Sequence, residues 1–152
     1  MKDRTRLNST NLLYSPMVEV LLSGVKSANE AGIPVAIFET FRTPQRQDQI
    51  YAQGRTTPGK IVSNAKGWQS WHQYGVAADI ALLIDGRWSW DFDPKEVSKH
   101  FDTKLLIWGG TFKNFDGPHY EWRNKPSLTV AEALVKSNGI LRLWAELDAL
   151  GS

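Results

Sequence analysis

The sequence predicts a single α+β domain in which a small antiparallel sheet is flanked by helices. Three observations predict this class. The 152 residues are enough for one hydrophobic core and too few for two comfortable ones. Helical patterns occur at both ends of the chain, and the strand patterns between them include a strong hairpin turn, Asp85-Gly86. The composition, 41% apolar and 22% charged, is ordinary for a globular protein.

The first half of the chain predicts two helices around one strand, followed by a long loop. Ser15 is the expected N-cap of the first helix, with Pro16 in its first turn, and Thr43-Pro44 opens the second. An apolar stripe at helical spacing follows Pro16, and β-branched and aromatic residues mark the strand. The expected ranges are a helix over about 16–30, a strand over 33–40, a helix over about 44–53 and a loop over 55–71.

The second half predicts a hairpin, two short strands and three helices. Capping-box-like sequences open helices at Asp93 and Thr129. The C-terminal helices, over about 129–150, are expected to pack on a core of about 15–122 within one domain of residues 1–152. The alternative is that they form a small element that binds a partner. The expected strands are 76–84, its hairpin partner 87–90, and short strands within 105–110 and 119–122.

Composition and charge exclude several classes of function. A formal net charge of +2 gives no strong attraction to nucleic acid, so no nucleic-acid partner is expected. Because the chain has no cysteine, any metal must be held by histidines and carboxylates. The longest apolar stretches are far short of a membrane span, and the N-terminus lacks the apolar run of a signal peptide. We therefore expect a protein made in the cytoplasm, without stable membrane insertion, that works as a monomer.

His72 and Asp79 lie in a segment that combines a turn with a strand. Gly75 permits the turn, and Asp79 shares one face of the strand with Ala77 and Ala81, while the opposite face is apolar. A carboxylate in the middle of such a strand is costly to bury unless it is paired or bound to a cation. His72 is the nearest candidate to share that cation. The alternative is that Asp79 caps a loop amide or pairs with an arginine.

A second segment carries Asp116, His119 and Glu121. Its Gly-Pro step makes a turn that can return Asp116 to His119, while His119 and Glu121 share one face of a short strand. Alone, this segment indicates only a turn aspartate and a surface histidine. Together, the two segments supply two histidines, one aspartate and a further carboxylate. Three protein ligands with one open position are the pattern of a catalytic zinc site, and the further carboxylate would take a proton from the water that zinc acidifies.

Both segments resemble one family of zinc peptidases. The motif Ser-x-His-x-x-Gly-x-Ala-x-Asp over residues 70–79 and the motif Asp-x-Pro-His-x-Glu over 116–121 are similar to D-alanyl-D-alanine carboxypeptidases and dipeptidases and to the L-alanyl-D-glutamate endopeptidases of phage endolysins. Residues 41–47 and 51–56 resemble the endopeptidase branch in particular, and Trp-Gly-Gly at 108–110 also fits. The resemblance covers about residues 15 to 122.

The resemblance implies a role for each matching residue. It makes His72, Asp79 and His119 the zinc ligands, and it makes Asp116 the general base. Arg42 would contact the substrate carbonyl or carboxylate, Ser70 would line the site, and Glu121 would orient a ligand. For Arg42, the alternative is an ion pair with Glu39 or Asp48 on the surface, which is irrelevant to turnover.

Other polar and aromatic residues are weaker candidates. His100 is expected on a helix without a carboxylate motif, as a surface or helix-end histidine. Trp68 and Trp71 precede His72 and would suit stacking on a sugar. Tyr74 would assist an oxyanion, or it has a structural role.

The resemblance implies a zinc-dependent endopeptidase that hydrolyses peptidoglycan stem peptides at the L-Ala–D-Glu bond. An acidic stem peptide agrees with Arg42 and with the mild positive charge. One alternative is a D-Ala-D-Ala carboxypeptidase on the same scaffold. A non-catalytic wall-binding module is less favoured, because it would be expected to lack a ligand or the base. We expect a compact, bacteriolytic, endolysin-like enzyme that acts on the wall in the periplasm after release by a holin or another route.

Overall fold

The computed structural model describes residues 5–151 and has the α+β architecture that the sequence predicts. Short 3-10 turns are formed by Thr10–Leu12, Trp71–Tyr74 and Gly109–Thr111. The helices are α1 Ser15–Glu30, α2 Pro44–Ala52, α3 Pro94–Ser98, α4 Leu128–Asn138 and α5 Ile140–Leu150. The strands are β1 Val35–Glu39, β2 Ala77–Ile84, β3 Arg87–Ser89, β4 Leu106–Trp108 and β5 His119–Trp122.

The five strands form one antiparallel sheet in the order β1-β2-β5-β4, with β3 paired to the end of β2 through the predicted hairpin. In the register of this sheet, Asp79 of β2 stands opposite His119 of β5 on one side and opposite Glu39 of β1 on the other. The register of β1 shifts between Ile37 and Glu39. Three polar residues therefore form a row across three neighbouring strands.

The core lies between the other face of the sheet and the helices. Met17 and Leu21 of α1, Ile80 of β2, and Leu143 and Leu147 of α5 are at most 1% exposed. Apolar residues at helical spacing in α1 and at alternate positions in β2 supply this core, as their periodicity requires.

The two C-terminal helices pack against the rest of the protein. The indole Nε1 of Trp144 donates a hydrogen bond to the backbone oxygen of Tyr74 at 3.0 Å, and the Tyr14 hydroxyl donates to Oδ1 of Asp148 at 2.6 Å. Among residues 5–151, no helix is long and apolar enough to cross a membrane.

Two predicted helix caps are wrong. Ser15 is the first residue of α1, and the N-cap, Tyr14, makes no side-chain cap. The backbone N–H of Tyr14 instead donates to the carbonyl of Gly75 at 2.9 Å, so a tertiary contact fixes the start of the helix. α4 begins before Thr129, because the hydroxyl of Ser127 accepts from the N–H of Val130 at 3.3 Å.

Candidate metal centre

His72 is carried by the 3-10 turn Trp71–Tyr74, which is fixed at both ends. At its start, Oγ of Ser70 accepts a hydrogen bond from the backbone N–H of His72 at 3.3 Å. At its end, Gly75 has φ +66°, a left-handed conformation that favours glycine. A Cβ at Gly75 would also lie 2.6 Å from the Trp144 ring. The turn leaves His72 only 2% exposed and directed toward β2.

His72, Asp79 and His119 converge on one point. Nε2 of His72 and Nδ1 of His119 each lie 3.4 Å from Oδ1 of Asp79, and the three potential ligand atoms all lie within 4.8 Å of one another. Ligands about 2.0–2.2 Å from a tetrahedral zinc are about 3.3–3.6 Å apart. Two imidazole nitrogens and one carboxylate oxygen are also a donor set that catalytic zinc accepts. These residues therefore fit a zinc ion with one position left for water or substrate.

Hydrogen bonds on the far side of each imidazole fix which nitrogen faces the centre. Nδ1 of His72 lies 2.7 Å from the carbonyl oxygen of Thr40, and Nε2 of His119 lies 3.0 Å from Oε1 of Glu121. Both acceptors take an N–H, so in a neutral imidazole the nitrogen that faces Asp79 is the one with the lone pair that a metal requires. Nζ of Lys125 pairs with the other oxygen of Glu121 at 2.7 Å and holds that carboxylate in place.

The electrostatics of the cluster favour a positive charge at its centre. Burial acts to raise the pKa of Asp79, but the two histidines hold it well below its usual value. Burial acts to lower the pKa of His119, yet its hydrogen bonds to Asp79 and Glu121 raise it to about 10. Carboxylates that stabilise a proton in this way would also stabilise a divalent cation.

Asp116 is placed beside the cluster by a close approach of two backbone segments. Its N–H donates to the carbonyl of Gly109 at 3.0 Å, and a Cβ at Gly109 would lie 2.2 Å from the Asp116 carbonyl oxygen, so only glycine fits there. Oδ2 of Asp116 lies 3.9 Å from Nδ1 of His119, and the side chain remains half exposed. Desolvation, and then the charge of Asp79, raise the pKa of Asp116, which suits a carboxylate that accepts a proton.

Arg42 lies in the floor of the site, in an ion pair with Glu39 that is buried and not on the surface. Its Nη2 donates to Oε1 of Glu39 at 2.6 Å, which is the expected ion pair, but the same atom also lies 3.3 Å from Oδ2 of Asp79. The side chain is only 11% exposed, so the pair is not a surface feature. Asp48 instead accepts a hydrogen bond from the backbone of Gly67.

These residues open into a cleft of about 780 Å³. Ser70 and Trp71 line it, and Val62 and Ser63 of the predicted long loop form part of its wall. The residues from the sequence prediction that line the cleft are Arg42, Ser70, His72, Asp79, Asp116, His119 and Glu121.

Two of the weaker candidates, Tyr74 and His100, make contacts that indicate structural roles. The Tyr74 ring is buried against Trp68 and its hydroxyl donates to the carbonyl of Trp68 at 2.8 Å, which favours the structural role. His100 follows α3, and its Nδ1 lies 2.8 Å from Oγ of Ser27 in α1. It is not part of the cluster of His72, Asp79 and His119.

Sequence reasoning named Glu39 only as a surface partner of Arg42 and did not single out Gln47, so it missed the burial of both. Glu39 is 1% exposed and Gln47 is fully buried. A signal for the burial of Glu39 existed, because it follows the apolar Val35 and Ile37 at alternate positions of a strand, although the register shift after Ile37 brings it opposite Asp79. A carboxylate on such a face needs a partner or a cation.

Comparisons with known proteins agree with the class that fold and site define, a zinc metallopeptidase. Two family profiles, both described as D-alanyl-D-alanine carboxypeptidase, match residues 11–92 and 63–122. The Bacillus subtilis (strain 168) protein named peptidoglycan L-alanyl-D-glutamate endopeptidase CwlK is 40% identical over 119 residues, which cover 70% of this chain and 71% of the relative. The chain therefore belongs to the D-alanyl-D-alanine carboxypeptidase family, and the predicted resemblance is confirmed.

Solved structures share the fold at low sequence identity. The Serratia marcescens L-Ala D-Glu endopeptidase ChiX superposes with a TM-score of 0.56 at 19% identity, covering 79% of this chain and 87% of its own. The LD-carboxypeptidase LdcB gives a TM-score of 0.51 at 18% identity, covering 86% of this chain and 66% of its own.

Proposed function

We propose that the protein is a zinc-dependent endopeptidase that hydrolyses peptidoglycan stem peptides at the L-Ala–D-Glu bond. The observation that carries this proposal is the convergence of His72, Asp79 and His119 at the floor of an open cleft. The choice of bond is supported by the relative at 40% identity, whose name specifies that cleavage.

Each residue of the site has its own role in the proposed hydrolysis. His72, Asp79 and His119 would hold the zinc ion, which when bound polarises a carbonyl and acidifies a water molecule. Asp116 takes a proton from the attacking water as its oxygen bonds to the carbonyl carbon of L-Ala. Asp116 then gives that proton to the amine of D-Glu as the C–N bond breaks. Arg42 offers a cation to the substrate carbonyl or carboxylate from the cleft floor.

The family profiles favour a second candidate, a D-Ala-D-Ala carboxypeptidase on the same scaffold. The two activities differ in their products. The endopeptidase frees peptides that begin with D-Glu and leaves L-Ala on the glycan, whereas the carboxypeptidase releases single D-Ala residues.

Mass spectrometry of peptidoglycan digested with the zinc-loaded enzyme tests both candidates, with His119→Ala as the inactive control. We expect peptides with a new D-Glu amino terminus. Release of D-Ala alone would replace the first candidate with the second. Retention of the protein on walls that stay uncleaved would leave only a wall-binding module.

For the biological setting, we propose a bacteriolytic, endolysin-like role. The enzyme is made in the cytoplasm, reaches the wall from the periplasmic side after release by a holin or another route, and acts as a monomer. Expression in a Gram-negative host with and without a holin tests the role: culture turbidity should fall only when the holin is present.

A further inference from the structure

Arg42 is shared unequally between two carboxylates. Its Nη2 lies 2.6 Å from Oε1 of Glu39 and 3.3 Å from Oδ2 of Asp79, the second oxygen of the aspartate whose Oδ1 faces both histidines. Nη1 of Arg42 donates to Oε1 of the buried Gln47 at 3.0 Å. The guanidinium is therefore held mainly by Glu39 and Gln47, and it touches Asp79 only weakly.

The carboxylate of Glu39 is fixed in a position from which it can bind Arg42. It is 1% exposed, it stands opposite Asp79 in the sheet, and its Oε2 accepts from Nε of Arg46 at 2.5 Å. Burial acts to raise the pKa of Glu39, but the hydrogen bonds from Arg42 and Arg46 leave it below its usual value, so the carboxylate is charged at neutral pH.

One edge of the Arg42 guanidinium, formed by Nε and Nη2, is only half used by Glu39. Nε of Arg42 is buried and has no hydrogen-bond partner among the described residues. Nε and Nη2 form a fork that suits a bidentate contact with a carboxylate. Without the charge of Glu39, Asp79 would be the anion nearest to this fork, and a bidentate contact would draw its oxygens away from the histidines.

We propose that Glu39 is a positioning residue that holds Arg42 back from Asp79 and so keeps Asp79 available to the metal. This inference rests on the metal site proposed above. It differs from a packing role for Glu39, because it attributes the loss of zinc affinity without Glu39 to one specific cation, Arg42. Removing Arg42 as well should therefore restore the zinc affinity.

The first test measures zinc affinity by competition with a chromophoric chelator. Glu39→Gln should bind zinc roughly tenfold to a hundredfold more weakly than the wild type, as is usual for residues that support metal ligands. Glu132→Gln is the matched control, because Glu132 pairs with Lys136 on the surface and should leave the affinity unchanged. An unchanged affinity in Glu39→Gln would overturn the inference, whereas a wild type that binds no zinc would overturn the metal site itself.

The second test asks whether removing Arg42 rescues the affinity. The double variant Glu39→Gln, Arg42→Gln should return to the wild-type zinc affinity, and its melting temperature should be recorded beside it. A merely structural role predicts that the double variant is at least as weak as the single one, and that result would refute the inference. If Glu39→Gln does not fold, Arg42→Gln alone decides: zinc affinity should equal or exceed that of the wild type, and a tenfold loss would mean that Arg42 orients Asp79.

Discussion

Two carboxylates lie next to His119, and their surroundings assign them different tasks. Glu121 is 7% exposed, and its two oxygens are occupied by His119 and Lys125. Asp116 is half exposed in the cleft, with one oxygen 3.9 Å from Nδ1 of His119, the nitrogen that faces Asp79. A group that exchanges protons with substrate must be accessible, so Asp116 suits the base and Glu121 suits the orientation of His119.

We expect Asp116→Asn to retain zinc and to lose about a hundredfold in kcat/KM, because an amide cannot accept the proton. Glu121→Gln should instead weaken zinc binding and recover much of its turnover when zinc is saturating. Elemental analysis and steady-state kinetics on both variants make the comparison. Abolished turnover in Glu121→Gln at saturating zinc, together with a mild effect of Asp116→Asn, would show that the two roles are reversed.

The role of Arg42 can be tested with a variant that keeps the positive charge but lacks the planar guanidinium. Lys at this position keeps the cation but lacks the planar fork, so Arg42→Lys should fold, hold zinc and lose more than about tenfold in kcat/KM. A fall in kcat larger than the rise in KM would place the contact in the transition state, and the opposite pattern would make Arg42 a substrate anchor. Wild-type kinetics for Arg42→Lys and Arg42→Ala alike would remove Arg42 from the mechanism.

At the level of elements, local patterns predicted most boundaries, and tertiary contacts explain the exceptions. Pro44 and the Asp85-Gly86 turn mark α2 and the β2–β3 hairpin, since turn and helix-start chemistry is local. The predicted cap at Ser15 was wrong because the start of α1 is fixed by the hydrogen bond from Tyr14 to Gly75, which is distant in sequence. The pairing of β1 with β2 and its register shift after Ile37 are also non-local, so the sequence could suggest that His119 joins His72 but could not show that Glu39 completes the row.

The tail helix α5 packs against the turn that carries His72. Trp144 contacts Gly75 and Tyr74, which close the turn that carries His72. Replacing Trp144 by Ala removes a half-buried ring and a hydrogen bond, so we expect a loss of about 2–4 kcal/mol in the free energy of unfolding.

Leu141→Ala on the same helix is the matched control, because Leu141 is 71% exposed and its loss should change stability by less than about 0.5 kcal/mol. Denaturant titration of both variants measures the difference. Equal stabilities would show that the Trp144 ring does not contribute to the packing of this turn.

At the level of the whole molecule, the proposed ligands join parts of the chain that are distant in sequence. His72 comes from a 3-10 turn, Asp79 from β2 and His119 from β5. A metal bound by all three ties these segments together in the folded state only. Zinc binding should therefore stabilise the entire fold, because an ion that binds the native state alone shifts the unfolding equilibrium.

The expected size of this effect follows from mass action. Free zinc at a hundred times its Kd should add about 2.7 kcal/mol to the free energy of unfolding. For a chain of 152 residues, this corresponds to a rise in Tm of about 5–10 °C over the chelated protein. Calorimetry with and without a chelator measures it, and the double variant His72→Ala, His119→Ala is the control, whose Tm should not respond to zinc. A wild-type Tm that is indifferent to zinc, or an equal response in the double variant, would mean that zinc is not held by these residues.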